Sequence, residues 1–376
     1  MGTSKSDLWE RFFGFTMNIN PVFNILGIFG LSFLRRDRFK LIKKDRINLY
    51  IWGALAVSGI ISILTSNYMK DAFLSFFVPF AFIWLYILGK WYLNQPQRLL
   101  KDMIRGTALL GLISVLARLF NINLVIKGVE IITEFGPNGR GYILGIGDNG
   151  LGILFQSGVV GALGFLVLVR EKKYVMLNIV YFIFSLLGLI ITNSRGAMVG
   201  SVAGVFLLTL FFSWKIMGVF GGTSILALIT SDRLLNRVCS IVSLKNRSNY
   251  LRIKIWQGTL KMIKDHLWFG NGPGIFNPIY EQYRLPAETE HALSPHNDYL
   301  KIISGWGIIG GFIFFGWVFY IMIRSWMEGL NNIQKIILAI LISFWTHVFF
   351  NDLITAYAAV LLGCLENPKF NSSKIE

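Results

Sequence analysis

The feature that most constrains this chain is the recurrence of apolar runs close to the ~20 residues a helix needs to cross a bilayer. They fall at 47–66, 72–93, 104–124, 149–169, 174–192, 196–213, 215–230, 300–323 and 333–350, with shorter runs at 19–34 and 352–365. Backbone in lipid must satisfy its own hydrogen bonds, which a helix does internally. The expected fold is therefore all-α, a polytopic integral membrane protein with about 10–11 transmembrane helices. Composition agrees. Hydrophobic residues make up 54% of the chain and charged residues 15%, where a soluble domain carries about a quarter charged.

The net charge of +16 comes from 36 Lys and Arg against 20 Asp and Glu. These charges are not gathered into one basic domain, so no nucleic-acid partner is expected; they fall between the apolar runs, where basic residues mark the cytoplasmic side. RRDRFKLIKKDR (35–46), with seven Lys and Arg, is the strongest anchor. Alternating from it puts Lys90, Arg98, Lys101, the REKK of 170–173, Lys215, Arg324, Lys335 and the C-terminal tail inside. Two long loops are then left outside, 125–148 and a partly helical 231–299. The segment 12–34 contains Asn18, Asn20, Pro21 and Asn24 and reads as a bent or interfacial helix. A single crossing would leave the N-terminus outside, a re-entrant hairpin inside. Cys239 and Cys364 fall on opposite sides, which excludes a disulfide between them, and no Cys/His spacing suits zinc.

In such a chain the informative residues are polar ones with no evident solvating role. ITNSRGAMVGS (191–201) places Arg195 at the outer boundary, with Gly196, Ala197 and Gly200 leaving room for another helix or a ligand. An arginine there either snorkels to headgroups or grips a phosphate bidentately. SNYLRIKIWQGTLKMIK (248–264) reads as a helix capped by Ser248 or Asn249. Its lysines share one face with Gln257, as on a membrane-surface helix. Arg252 lies in the middle of the apolar face, which calls for an anion. In HLWFGNGPGIF (266–276) three glycines and a proline make a tight turn, a plain loop or a weak anion cradle. The loop ends in ETEHALSPHNDYL, where His291 and His296 stand just before the run at 300. Histidine is the side chain suited to take a proton near neutral pH. Asn297 and Asp298 either cap the helix or orient the ring, with capping favoured for Asp298. Arg118, His347 and Asp352 are read as structural.

Two arginines, a glycine turn and a histidine on one outer face suggest group transfer from a lipid diphosphate to an alcohol. At these residues the sequence resembles the O-antigen ligase and polymerase superfamily of bacterial envelope glycosyltransferases. The motifs are Ser194-Arg195-Gly196 opening a helix, Arg252 to Trp256 followed by GNGPGIF, and PHNDYL before the next run. GPNGRGYILGIGDNGLG (136–152) looks like a loosened form of a further family segment, with Arg140 and Asn149 at the matching positions. The resemblance implies a core at 174–323, between N-terminal helices (1–173) and C-terminal helices with a tail (324–376). It implies an enzyme of the bacterial plasma (inner) membrane, with its site on the outer face. The donor would be an undecaprenyl-diphosphate-linked glycan, and the acceptor hydroxyl would belong to a glycan, lipid-linked or protein partner. His296 becomes the catalytic base, with Arg195, Arg252 and Arg140 on the diphosphate and Asn297 on the substrate. Neither metal nor cofactor is implied, and transfer inverts the anomeric centre. Polymerase and ligase stay undivided. A transporter or flippase is the alternative, though it would place its polar groups near the midplane and in repeated halves. A non-catalytic scaffold would have no use for His296.

Overall fold

The computed structural model describes the chain apart from residues 1–4, 17–29, 43–44, 127–128, 133–142, 145, 169–171, all but isolated residues of 213–246, 286–291, 352–355 and 371–376. The described residues form α1 (Lys5–Thr16), α2 (Arg46–Leu64), α3 (Met69–Ile87), α4 (Pro96–Leu119), α5 (Asp148–Leu168), α6 (Lys172–Thr192), α7 (Arg195–Phe212), α8 (Arg247–Asp265), α9 (Asp298–Met327), α10 (Asn332–His347) and α11 (Ala356–Leu365). A π-helical turn, Leu88–Tyr92, continues α3. Two short antiparallel strands, β1 (Leu124–Ile126) and β2 (Val129–Ile132), open the loop after α4. The protein is an all-α polytopic membrane protein. Among the described residues, α2, α3, α5, α6 and α9 supply helices long and apolar enough to cross a bilayer, and α7 is a shorter apolar helix. The expected run at 215–230 and most of 19–34 lie outside the described residues.

The polar contacts sort the helix ends into two groups. At one end Lys90 pairs with Asp45 (2.5 Å) and Glu366 (2.9 Å), Arg324 approaches Glu366 (3.6 Å), and Asp102 holds Arg105 (2.6 Å) and Arg11 (3.5 Å). The basic positions that the charge pattern assigns to one side thus meet. Arg35 pairs with Glu10 (2.9 Å) and Asp7 (3.6 Å) at this end as well. At the other end the Ser194 hydroxyl donates to Asn149 (3.1 Å), and the Asp298 amide donates to the carbonyl of Val348 (3.0 Å).

Helices α5, α7 and α10 pack as a buried group, and α10 is buried along nearly its whole length. Gly200 and Gly204 of α7 allow the close approach. A Cβ at Gly200 would stand 2.6 Å from the Ser343 carbonyl oxygen, and one at Gly204 2.8 Å from that of Ala339. Small residues four apart bring two membrane helices into backbone contact, where dispersion and interhelical contacts replace the absent hydrophobic drive.

Helix α9 is broken. Gly307 has φ 68° and ψ −178° within it, a conformation essentially reserved for glycine. The break frees backbone groups that lipid cannot solvate, and the turn at 267–272 takes them up. The Asn271 and Gly272 amides donate to the Ser304 and Gly305 carbonyls (both 3.0 Å), while Ile308 and Ile309 donate to Leu267 (2.8 Å) and Trp268 (3.3 Å). The Asn271 side chain adds a bond to Ser304 (3.2 Å), and Ser62 of α2 adds one to Gly305 (2.7 Å). The glycine turn is therefore a latch for a broken helix. Its 271 and 272 amides are spent on the protein and do not cradle an anion.

Gly307→Ala would carry a Cβ to within 2.2 Å of the Trp268 oxygen. We expect it to destabilise the protein by at least ~2 kcal/mol. Asn271→Ala should destabilise by about 1–3 kcal/mol through the loss of a buried bond. Thermal unfolding in detergent checks both.

Candidate functional site

The site is organised by α8, an amphipathic helix with two partners. Its lysine face is exposed at Lys261 and Lys264. Its apolar face does not rest on lipid, as a surface helix would; Ile255 and Met262 are buried against Ile275, Phe276, Ile279 and Tyr280 of the following loop. Tyr283 closes that loop by donating to Asp265 (2.7 Å), a bond that raises the phenol's pKa above its ordinary value.

Asn249, Arg252 and Trp256 follow the i, i+3, i+7 spacing of one helical stripe, and each turns toward a different membrane helix. Arg195, the first residue of α7, donates to the Asn249 side-chain oxygen (2.7 Å). Asn249 in turn donates to the Ser243 carbonyl (3.0 Å). The helix begins at Arg247, so Asn249 falls within its first turn and holds Arg195 in place of a cap. Two turns on, or about 10 Å along the axis, the Trp256 indole N–H donates to the Pro295 carbonyl (2.9 Å), and its ring meets Phe349 (centroids 5.3 Å). Between them Arg252 is half-buried, within charge-interaction range of His347 at the end of α10.

His296 follows directly on Pro295. It is exposed and sits in the left-handed region at φ 49°, which a non-glycine residue seldom adopts without support. The support lies on both sides: Pro295 is buried and held by Trp256, and Asn297 is 2% exposed. The Asn297 side chain accepts the Leu300 amide (3.0 Å) and is the N-cap of α9. The cap is thus Asn297 and not Asp298, since Asn297 holds the extended backbone that an N-cap requires. Asp298, 1% exposed, ties α9 to α10 through its amide.

Asn149, at the start of α5, meets the arginine motif at Ser194. Arg140, His291 and Asp352 lie outside the described residues. Sequence reasoning passed over the depth of polarity beneath Arg195. His347, fully buried, faces Gln156 of α5 through Nδ1 (3.0 Å), and its Nε2 has no hydrogen-bond partner among the described residues. A Cβ on Gly196 would touch both His347 (2.6 Å) and Asn351 (2.8 Å). The legible signal was Gln156 within an apolar run. Cys239 and Cys364 are both free thiols. Among the described residues, no group of three or more His, Cys, Asp and Glu is placed to share a metal ion.

Residues 180–315 match the family model described as O-antigen ligase. The domain supports a membrane glycosyltransferase-like role in polysaccharide assembly. No curated protein matches the chain. Among solved structures, one described as "Structural coordination of polymerization and crosslinking by a peptidoglycan synthase complex" is similar at 12% identity and a TM-score of 0.43. It covers 85% of this chain and 95% of that one.

Trp256→Phe should leave the fold within ~1 kcal/mol of wild type, because one hydrogen bond is lost and the ring remains. If Trp256 positions His296, glycan transfer should fall about tenfold, as misplacement of a reacting group produces. Surface glycan at matched protein level, beside detergent unfolding, measures the two separately.

Proposed function

We propose that the protein transfers a glycan from an undecaprenyl-diphosphate carrier to an acceptor hydroxyl at the outer face of the bacterial plasma membrane. The observation that carries this reading is the Asn249–Arg252–Trp256 stripe. One helix face engages Arg195, carries Arg252 and steadies the residue before His296, at the end of the bundle opposite the basic loops.

In this reading His296 takes the acceptor hydroxyl proton as the oxygen attacks the anomeric carbon of the reducing-end sugar. The bond from that carbon to the diphosphate oxygen breaks, and its electron pair stays on the diphosphate. Arg195 and Arg252 stabilise the charge gathering there, bidentately where geometry permits. Attack opposite the leaving group inverts the anomeric centre, and His296 returns its proton to water. The two guanidinium groups take the role a metal would otherwise fill, so no metal enters the scheme. Asn297 caps α9 through its side-chain oxygen, next to His296, and is kept as a substrate contact through its side-chain amide N–H groups. Arg140 is kept as a further diphosphate contact. The functional core is taken as 174–323, and the acceptor, glycan, lipid-linked or protein, is left undivided between polymerase and ligase chemistry.

Broken helices also occur in transporters, where the freed groups bind solute. Here the 304, 305, 308 and 309 backbone groups are all taken by the loop at 267–272, which favours transfer over transport.

His296→Ala should abolish surface glycan while carrier-linked glycan accumulates, seen by gel and lipid extraction at matched protein level. Single repeats on the carrier indicate a polymerase, long chains a ligase. A silent substitution removes His296 as base. Arg195→Lys and Arg252→Lys should each lower transfer by about 10–100-fold, since lysine keeps the charge and loses the fork.

A further inference from the structure

The inner end of the bundle holds a cavity that the proposed transfer does not use. It has a volume of about 600 Å³ and lies between the first turns of α4, the end of α5 and the start of α6. All of its charged lining is basic: Arg11, Arg98, Lys101, Arg105 and Lys369. Asp102, 4% exposed at its side chain, stands behind them and pairs with Arg105 and Arg11. Glu10 and Asp7 lie behind the same turn, but both pair with Arg35, so the five cations of the lining outnumber the acids left to them and make a field that attracts an anion. Lys101 is held over the Phe165 and Tyr174 rings (5.6 Å to each centroid). That contact fixes its ammonium in the cavity wall.

The position says what kind of anion fits. Phe165 lies sixteen residues along α5 from Asn149, or about 24 Å at the helical rise, close to the hydrocarbon thickness of ~30 Å. The cavity therefore sits at the membrane boundary opposite the candidate site, with Tyr174, at the start of α6, at the level where tyrosine favours the headgroups. Leu177 lines the cavity and is 43% exposed; its neighbours Met176 and Val180 are 69% and 37% exposed. An apolar strip of α6 thus runs from the cavity onto the surface that faces lipid tails. A free phosphate would use the cations alone, whereas a phospholipid would use both features.

We propose that this cavity binds the phosphate headgroup of an anionic membrane phospholipid, whose acyl chains lie along Met176, Leu177 and Val180 of α6. The site is independent of the glycan-transfer reading.

The test uses the full-length protein purified in detergent. Phosphatidylglycerol, phosphatidylcholine or inorganic phosphate is added in parallel, and retention by native mass spectrometry and thermal unfolding are read. Phosphatidylglycerol should be retained and should raise the unfolding temperature, with phosphatidylcholine and phosphate giving little. Arg98→Gln with Lys101→Gln should weaken its retention about thirtyfold, two surface cations' worth of attraction. Lys369→Gln, placed after the last helix, should weaken it several-fold even if the double variant folds poorly. Lys70→Gln, an exposed lysine away from the cavity, should change nothing. Equal retention by wild type and the cavity variants overturns the proposal, as does equal binding of phosphatidylcholine. Equal stabilisation by inorganic phosphate at the same concentration overturns the lipid assignment in favour of a soluble phosphate.

Discussion

The arrangement depends on an exchange of backbone hydrogen bonds between the broken helix α9 and the turn at 267–272. A helix interrupted in a bilayer exposes donors and acceptors with no water to meet them. Here two carbonyls above the break receive amides from the turn, and two amides below it give to the turn's carbonyls. The exchange requires a backbone conformation at Gly307 that a side chain would forbid, and space that a Cβ would fill. In return it fastens the loop after α8 to the membrane bundle.

That fastening gives α8 a fixed end. The helix leads directly into the latch, so its stripe of Asn249, Arg252 and Trp256 is held against the outer ends of α7, α10 and α9. Arg195 opens α7 and His296 stands just before α9, far apart in sequence, yet α8 holds the neighbourhood of both. The Arg195 side chain is thereby held by a hydrogen bond and the His296 backbone by its neighbours, a placement that the proposed charge stabilisation and proton transfer would use. The unusual backbone at His296 fits this picture, since a buried proline before it and a buried cap after it hold the exposed ring between them.

The same residues show where sequence reading reaches and where it stops. The spacing of apolar runs and the side preference of basic residues are one-dimensional properties, imposed by the bilayer on every segment separately. Lys90, Arg324 and Arg35 duly meet their partners at one end. Arg195, Arg252 and His296 stood out because a charge or a titratable ring at a membrane boundary needs a reason. His347 stood out and reads as structural, but its pairing with Gln156 did not, because it joins α10 to α5 across 191 positions. The glycine turn was legible as a turn, but nothing local says that its amides are already taken. Asn249 and Asn297 illustrate the same limit in small: either fits a cap by type, and only the helix start decides which one serves.

What the sequence determined by itself was the solvent for each segment, and hence the all-α membrane bundle. These follow from hydrophobicity and charge, which act residue by residue. Tertiary structure decided what those residues face: the latch in α9, the stripe of α8 that gathers the site, and the basic cavity at the opposite end. Each depends on groups from distant segments meeting within hydrogen-bond or charge range, a short-range condition that no linear pattern records.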